Sequence, residues 1–295
     1  MMAETVQIGV IGGSGLYRMP EIHDITTHKI ETPYGMPSAD ITIGTLRGKR
    51  VAFLPRHGVG HIYSPSKVPY RANIYALKSL GVRFILAVNA CGSLREDYAP
   101  GHIVIPDQLV DFTKADRGRS FFEDTKGLVM HVGVADPFSN ELSELLADSA
   151  AKAGGTVHRG GSLVIIEGPR FSTRGESEIY RRWGCDIIGM TSCPEAFLAR
   201  EAEIAYATMA HVTDYDVWHS TEEPVSTAAV VETFQRNLRI AQQALAEAVE
   251  ALDETAVWPA HTGLDGALMT DRDHVSQEAL RRLGPITARL FAAAK

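Results

Sequence analysis

The chain has 295 residues, of which 45% are hydrophobic and 22% are charged, and its formal net charge is −7. This composition is typical of a globular protein, and the length is sufficient to bury a large core in one α/β domain or two smaller domains. The acidic balance gives no general attraction for nucleic acid or for an anionic membrane, so an anionic ligand requires a local positive site.

The three cysteines, Cys91, Cys185 and Cys193, form no Cys-x-x-Cys pair and leave one thiol over. This pattern is typical of reduced thiols and not of a disulfide framework or a zinc site. Residues 1–11 are too short and lack the basic start of a signal peptide. No apolar run approaches the roughly 20 residues of a membrane span. We therefore expect a cytoplasmic protein.

Taken in chain order, short apolar strands alternate with amphipathic helices. Strands are predicted at 6–11, in a pair over 41–55 around the turn at 47–49, and at 83–88 and 204–210, and the stretch 162–170 is predicted to run from a strand into a loop. Helices are predicted at 66–81, 139–155, 194–204, 226–252 and near 276–283. The alternation predicts a single α/β domain with a mostly parallel or mixed sheet, a core at about 5–252 and a C-terminal extension at 253–295, partly helical.

Polar, glycine-containing stretches follow five of these strands. They lie at 12–15, 55–58, 89–93, 167–172 and 213–216. Because ligands of open α/β sheets bind outside the carboxyl ends of the strands, we expect the five stretches to converge on one pocket.

Two of the stretches are suited to an anion. The loop at 12–15 offers backbone N–H groups and the Ser14 hydroxyl, although it lacks the third glycine of a dinucleotide fingerprint. Arg56 offers a two-pronged contact to phosphate, and His57 can add a donor. A tight turn, a surface arginine and a core histidine are the ordinary alternatives. His57 and His61 are four residues apart, but the glycines between them argue against the helix that a metal site would need.

Three other stretches suit a flat ring or a second anion contact. Small residues at 89–93 allow a ligand to approach the backbone closely. Phe171 can stack on a ring and Ser172 can bond its edge. Thr191 lies just before a helix predicted to begin at Pro194, where anions are favoured. Each residue also has an ordinary structural role, and only their joint placement indicates an α/β enzyme that binds an anion and a flat ring.

Asp214 and Asp216 stand side by side at the end of the last predicted core strand. Three interpretations remain open for this pair: a solvated turn, a metal site, or a device that reads hydrogen-bond donors on a ligand. The metal site lacks a nearby third ligand with suitable spacing.

Together these residues resemble the 5′-methylthioadenosine phosphorylase branch of the trimeric purine nucleoside phosphorylases. The stretches that carry the resemblance are GGSGLY, PRHG, PSKVPYRANIYALK, NACGSL, PGHIVIPDQ, EGPRFSTRGES, MTSCPEAFLAREA and TDYDVW, in family order from about residue 8 to about 245. The resemblance implies a single phosphorylase-type α/β domain with a central mixed sheet flanked by helices. It also implies a homotrimer, with a hexamer left open.

The implied reaction is phosphorolysis of 5′-methylthioadenosine to adenine and 5-methylthioribose 1-phosphate, with phosphate as a substrate and no metal or organic cofactor. The implied phosphate site is Ser14, Arg56, His57, Asn89 (Thr in some members), Ala90 and Thr191. The implied base and ribose site is Phe171, Ser172, Met190, Asp214 and Asp216. The implied 5′ pocket is His131, reaching in from the neighbouring subunit, with Val225, Val230 and Val231. Thr227 stands where an apolar residue is expected.

Phosphorolysis needs no protein nucleophile, because phosphate itself attacks the anomeric carbon. The protein must hold the anion, stabilise an oxocarbenium-like ribosyl centre and help the purine to leave. Asp214 is the candidate acid or hydrogen-bond partner at purine N7, a role that calls for a raised pKa. In an extended segment Asp214 and Asp216 would face the same way. They would then favour adenine over a 6-oxopurine by roughly 2–4 kcal/mol.

Two other functions remain as alternatives. One is a purine nucleoside phosphorylase for adenosine or for 6-oxopurine nucleosides such as methylthioinosine, against which the aspartate pair argues. The other is a non-catalytic nucleotide-binding regulator on the same fold, since a fold does not fix a function. A dehydrogenase rests on the glycines alone.

Overall fold

The computed structural model describes residues 5–13, 15–16, 19–219 and 227–292. Within these residues, eleven strands join in one mixed sheet with helices packed on both of its faces. The strands are β1 Ile8–Gly12, β2 His23–His28, β3 Ile41–Leu46, β4 Lys49–Pro55, β5 Phe84–Ser93, β6 Ile103–Ile105, β7 Gln108–Asp111, β8 Val157–Arg159, β9 Ser162–Ile165, β10 Ile187–Gly189 and β11 Ala205–Asp214. The helices are α1 Tyr70–Ser79, α2 Asn140–Lys152, α3 Arg174–Arg182, α4 Ser192–Glu201, α5 Thr227–Ala251, α6 Gln277–Leu283 and α7 Ala288–Phe291. The predicted α/β class with a central mixed sheet is confirmed.

Strand β5 is the centre of the sheet, because it pairs along both of its edges. On one edge, β11 runs parallel to it over most of its length. On the other edge, β1 is parallel to residues 84–87, whereas β10 is antiparallel to residues 92–93. Between these two contacts, residues 88–91 have no partner strand on that edge among the described residues. The two neighbouring strands leave a gap there, which is the kind of place where ligands bind in α/β sheets.

Side chains of β5 alternate between two apolar cores, as the two-residue period of a strand requires. Leu86 and Val88 belong to the core that contains the buried faces of α2 and α5. Ile85 and Ala87 belong to the core that contains α1 and α4. Because burial of a large aliphatic side chain stabilises by about 1.5–3 kcal/mol, these two cores hold β5 rigidly in place.

The C-terminal segment 253–292 packs on both cores: Ala256, Trp258 and Ala260 lie against the first, and the rest of its buried apolar side chains lie in the second. Leu264, Leu283 and Ile286 are buried in the same cluster as α1 and α4. Helix α6 begins after Ser276, whose hydroxyl accepts a hydrogen bond from the N–H of Ala279. The helix predicted near 276–283 is therefore confirmed. In the described part of the chain, no helix has the length and apolarity needed to cross a membrane.

Three predicted element boundaries are wrong. The helix predicted from residue 66 begins at Tyr70, because Pro69 occupies its cap and residues 65–67 form a separate 3₁₀ turn. The strand predicted to end at 88 continues to Ser93, and the strand predicted to end at 210 continues to Asp214. Both extensions pair with each other, so long-range strand pairing keeps extended a stretch whose small and polar residues indicate a turn.

Candidate active site

A pocket of about 580 Å³ lies beside the part of β5 that neither β1 nor β10 covers. All five stretches that sequence reasoning placed after strands contribute to it. Its lining includes Gly13, Gly15, Arg56, His57, Asn89, Ala90, Phe171, Met190, Thr191, Asp214, Asp216, Val230 and Val231. The stretch at 89–93 contributes from within β5 and not from a loop after it, since the strand continues through these residues.

Arg56 lies in the wall of the pocket and pairs with a buried carboxylate. Its Nε and Nη2 atoms each donate to an oxygen of Glu195 at 2.7 Å, and Nη1 donates to the carbonyl of Val88 at 3.0 Å. Nη2 also donates to Oδ1 of Asn89, and the Tyr206 hydroxyl donates to Glu195. Burial acts to lower the pKa of Arg56, but Glu195 raises it overall, so the guanidinium stays charged.

This arrangement corrects the expected two-pronged contact between Arg56 and phosphate. A guanidinium has five N–H groups, and four of those in Arg56 are engaged by protein acceptors in the described structure. One N–H of Nη1 is left to face a ligand. Arg56 therefore makes its two-pronged contact with the carboxylate of Glu195.

Asn89 is also engaged in full. Its Oδ1 accepts from Arg56 and from the Thr208 hydroxyl, and its Nδ2 donates to the hydroxyls of Thr191 and Ser192 at 3.0 Å each. The amide has two donors and two lone pairs, and all are used within the protein, so a direct contact from this side chain to phosphate stays a prediction. Asn89 orients Thr191, whose own O–H proton is left free to donate toward the pocket.

The tautomer of His57 follows from its hydrogen bond. Its Nδ1 lies 2.8 Å from the carbonyl oxygen of Tyr63, and a carbonyl only accepts, so Nδ1 carries the proton. The ring of His61 stacks on that of His57 at 4.2 Å. Burial, aided by the charge of Arg56, lowers the pKa of His57 to about 4, so the ring is neutral near pH 7. Its remaining nitrogen, Nε2, is consequently an acceptor and not the donor that the sequence suggested.

Asp214 and Asp216 both line the pocket, but not through an extended segment. Asp214 is the last residue of β11, whereas Asp216 has a φ of 51°, in the left-handed region. The turn folds back, so that the N–H of Asp216 donates to Oδ1 of Asp214 at 2.8 Å, and the Thr213 hydroxyl donates to Oδ2. Gly92 makes room for the pair, because a Cβ there would lie 2.9 Å from Oδ1 of Asp214.

Both carboxyls are harder to ionise than exposed ones. Burial raises the pKa of Asp214 to about 6, and the neighbouring charge of Asp216 adds to this. Burial also raises the pKa of Asp216, while the hydroxyls of Ser177 and Ser172 act in the opposite direction. Ser172 lies beside Asp216, outside the pocket lining. Across the described ranges, no three His, Cys, Asp or Glu side chains are placed to hold a metal ion.

Phe171 and Met190 form two further walls, and Arg117 connects the segments that carry them. The Arg117 side chain is fully buried and donates to the backbone carbonyls of Met190 at 2.7 Å, Cys193 at 3.1 Å and Glu167 at 2.6 Å. Nη2 of Arg117 also donates to the Glu167 carboxylate at 3.2 Å. One cation thus fixes the spacing between the segment before Phe171 and the segment around Met190.

The outer part of the pocket is lined by α5. Val230 and Val231 contribute to it, and Val231 is 48% exposed. Ser14 and Val225 lie outside the described residues. His131 is exposed and does not line the pocket of its own chain. A role for His131 in a neighbouring subunit's site stays a prediction.

Sequence reasoning missed Glu195 and Arg117. Glu195 is fully buried in α4, between apolar neighbours of the stretch CPEAFLA. A carboxylate among apolar residues of a helix indicates a buried cationic partner, and this signal could have led to Arg56. Arg117 gave no local signal, because it lies among other charged residues in ADRGR.

Comparisons with known proteins agree with the family resemblance described above. The family model for the phosphorylase superfamily matches residues 7–252. The S-methyl-5′-thioadenosine phosphorylase of Chloroflexus aurantiacus is 53% identical over 97% of this chain and 98% of its own length. That of Geobacter sulfurreducens is 48% identical over 94% of this chain and 96% of its own length.

Solved structures agree with the sequence relatives. A methylthioadenosine phosphorylase sourced from an antarctic soil metagenomic library superposes with a TM-score of 0.91 at 49% identity, covering 96% of this chain and 99% of that one. The methylthioadenosine phosphorylase of Schistosoma mansoni in complex with adenine gives 0.82 at 37%, covering 91% and 100%. The chain belongs to the phosphorylase superfamily, and within it to the S-methyl-5′-thioadenosine phosphorylases.

Proposed function

We propose that this enzyme cleaves the N-glycosidic bond of 5′-methylthioadenosine with inorganic phosphate, giving adenine and 5-methylthioribose 1-phosphate. The observation that carries the proposal is the pairing, in one pocket, of a polar end around Arg56 and Thr191 with the carboxyl pair Asp214 and Asp216. The relatives named above act, by their names, on the same nucleoside. Phosphate is the nucleophile, so the reaction requires neither a metal nor an organic cofactor.

At the phosphate end, the protein supplies several partial contacts in place of one strong clamp. One N–H of Arg56, the Thr191 hydroxyl and the backbone at Gly13, Gly15 and Ala90 surround the space beside β5. Bound there, phosphate attacks the anomeric carbon, and its negative charge stabilises the oxocarbenium-like centre as the bond to the purine breaks.

At the purine end, Asp214 holds the proton that N7 needs. A pKa of about 6 keeps a fraction of this carboxyl protonated near neutral pH, on the order of one molecule in ten at pH 7. Ionised Asp216 accepts from the amino group of adenine, while Phe171 packs on the ring. A 6-oxopurine would place an acceptor against Asp216, which disfavours methylthioinosine.

At the ribose end, Met190 lies beside the sugar, and Val230 and Val231 accommodate the methylthio group. His131 of a neighbouring subunit completes this end in a homotrimer. Adenosine is a second, slower substrate, because Gln235 also lines the α5 side of the pocket and offers an amide to a 5′-hydroxyl. We place the enzyme in the cytoplasm, which suits its three buried, unbridged cysteines. We treat the chain as one phosphorylase domain.

The proposal is tested by release of the free base from a panel of 5′-methylthioadenosine, adenosine and 5′-methylthioinosine, each in phosphate buffer. We expect the largest kcat/KM for methylthioadenosine, a smaller value for adenosine and the smallest for methylthioinosine. A preference for methylthioinosine would keep the phosphorylase chemistry but contradict the role of Asp214 and Asp216. Absence of base release from all three would contradict the proposed function.

A further inference from the structure

The indole of Trp218 joins the turn that carries Asp216 to the central strand of the sheet. Its N–H donates to the carbonyl of Ser93 at 2.7 Å. Ser93 follows Gly92 in β5. A Cβ at Gly92 would lie 2.9 Å from Oδ1 of Asp214 and 3.3 Å from Cβ of Asp216. The Trp218 hydrogen bond therefore connects the chain just after the two carboxyls to the part of β5 against which they pack.

Arg181, on α3, covers the face of the same indole. Its guanidinium carbon lies 3.4 Å from the ring centroid of Trp218, and its Nε donates to the carbonyl of Leu94 at 3.0 Å. The stacked pair thus uses two consecutive carbonyls where β5 ends, one for each member. A planar cation that lies on an indole and also bonds a carbonyl fixes both the tilt and the position of the ring.

The turn needs such support at Asp216 more than at Asp214. Asp214 is the last residue of β11 and is held by the pairing of that strand with β5. Asp216 lies beyond the strand and has a φ of 51°, a conformation that costs a non-glycine residue free energy and persists where its surroundings impose it. Trp218 is only two residues further along the chain, so fixing its ring restrains the backbone of Asp216.

We propose that Arg181 and Trp218 are positioning residues for base recognition, which hold Asp216 where its carboxylate meets the amino group of adenine. The inference rests on the proposed function, because it takes Asp216 as the acceptor for that group. Neither positioning residue lines the pocket; Arg181 lines a different cavity. Their effect on the reaction therefore passes through the turn, and the phosphate end of the pocket is not involved.

The experiment measures kcat/KM for 5′-methylthioadenosine and for 5′-methylthioinosine, and the KM for phosphate, in the whole protein and in two variants. Arg181→Lys keeps the positive charge but lacks the planar group that stacks on the indole. Trp218→Phe keeps an aromatic ring but lacks the N–H that binds Ser93. In each variant we expect kcat/KM for methylthioadenosine to fall about tenfold, the effect of losing one hydrogen bond to a charged group.

The second nucleoside separates positioning from general destabilisation. A 6-oxopurine has no amino group at this position, so it gains nothing from a well-placed Asp216. We expect its kcat/KM, and the KM for phosphate, to change by less than about twofold. The preference for methylthioadenosine over methylthioinosine should therefore shrink by at least about fivefold in both variants.

Two neighbouring residues of the same types provide matched controls. Arg182→Lys and Trp183→Phe alter exposed side chains next to Arg181 in the sequence, and Trp183 is 57% exposed. Because surface substitutions of this kind usually have small effects, we expect both controls to keep the preference within about twofold.

Equal losses with both nucleosides in Arg181→Lys and Trp218→Phe would show a structural role alone and overturn the inference. Variants that keep the full preference for methylthioadenosine would overturn it as well, and so would a matching loss of preference in the two controls. These results would leave the proposed function standing. Absence of phosphate-dependent base release by the unmodified protein would instead contradict the proposed function.

Discussion

At the scale of single residues, the pocket is built from charges that are buried in pairs. Arg56 and Glu195 neutralise each other in its wall, and Asp214 and Asp216 share its far end. Burial of such groups is costly unless each is bonded, and here nearly every polar atom of Arg56 and Glu195 has a partner. The Arg56–Glu195 pair fixes the position of both side chains in the pocket wall and adds little to the net free energy of folding.

The first prediction concerns the loss of one partner of this pair. Glu195→Ala leaves the charge of Arg56 buried and uncompensated, so we expect the free energy of unfolding to fall by about 3–5 kcal/mol in urea denaturation. Glu144→Ala, which removes an exposed partner of Arg159, is the control and should cost less than about 1 kcal/mol. Equal losses in the two variants would show that the buried pair has no special role.

A second prediction follows from the raised pKa of Asp214. Because its pKa in the folded protein, about 6, lies above the ordinary value of 3.8, the neutral form stabilises the fold at low pH. That contribution is complete below about pH 4 and is lost as pH rises through about 6. Asp214→Asn removes the burial of charge, so the variant should be more stable than the unmodified protein by roughly 2–3 kcal/mol at about pH 8.

The measurement is chemical denaturation of both proteins across this pH range. The stability difference should shrink toward zero at about pH 4, where Asp214 is neutral in both the folded and unfolded chains. A difference that stays constant with pH would contradict the assigned titration. Catalytic activity should fall in the same variant, since the amide cannot supply an acidic proton to N7.

At this scale, the sequence revealed residues whose partners are local and missed those whose partners are distant. Asp214 and Asp216 are two residues apart, and their joint placement could be predicted. Arg56 and Glu195 are separated by 139 positions, so nothing near Arg56 shows that its donors are already engaged. The sequence also could not show that the proton of His57 lies on Nδ1, since this depends on a hydrogen bond to the backbone carbonyl of Tyr63.

At the scale of elements, the site exists because β1 and β10 use the same edge of β5 but do not meet. Residues 88–91 are left without a strand neighbour on that edge among the described residues, and the ligand groups are gathered there. The sequence predicted β1, β5 and β11 but not β10, and it ended β5 and β11 too early. The small and polar residues at their ends read locally as turns, and only their mutual pairing keeps them extended.

The third prediction concerns the segments held together by Arg117. Arg117→Lys keeps the charge but cannot reach three carbonyls from one planar group, so the segments around Met190 and Glu167 lose their fixed spacing. We expect the KM for methylthioadenosine to rise about tenfold, the effect of one lost charged hydrogen bond, with a smaller change in the KM for phosphate. Initial rates at varied concentrations of each substrate measure the two values.

Arg119→Lys is the control for this prediction, because Arg119 lies two residues away, is partly exposed, and its side chain contacts only the nearby residues Asp111, Thr113 and Ala115 among those described. It should change neither KM by more than about twofold. Parallel increases of both KM values in Arg117→Lys would indicate general destabilisation and contradict a positioning role.

At the scale of the whole molecule, α5 lines the pocket of one chain, and His131 is exposed and lies outside that lining. The proposed trimer gives this exposed side chain a role, because a rotationally related subunit can bring its own His131 to the α5 side of the pocket. The oligomer came from family resemblance, and no periodicity in the sequence indicates it. Complementary surfaces on separate chains leave no pattern within one chain.

The fourth prediction tests this sharing of the site. His131→Ala and Asp214→Asn are expected to be weakly active as separate proteins. When the two variants are coexpressed in equal amounts, one site in each mixed trimer, or about one quarter of all sites after random assembly, should combine an intact Asp214 with an intact His131 from the neighbour. Activity should therefore recover to about that fraction of the unmodified enzyme. No recovery above the separate variants would place His131 outside the neighbour's site.

The central claim is that phosphate, and not water, takes the sugar from the purine. The most direct measurement is ³¹P NMR of the enzyme with 5′-methylthioadenosine and inorganic phosphate, alongside chromatographic assay of adenine. The account predicts loss of the phosphate signal and growth of a sugar 1-phosphate signal in equal amount to the adenine released, with no release when phosphate is omitted. Adenine formed without a new phosphorus signal would make the enzyme a hydrolase and contradict the assigned roles of Arg56, His57 and Thr191.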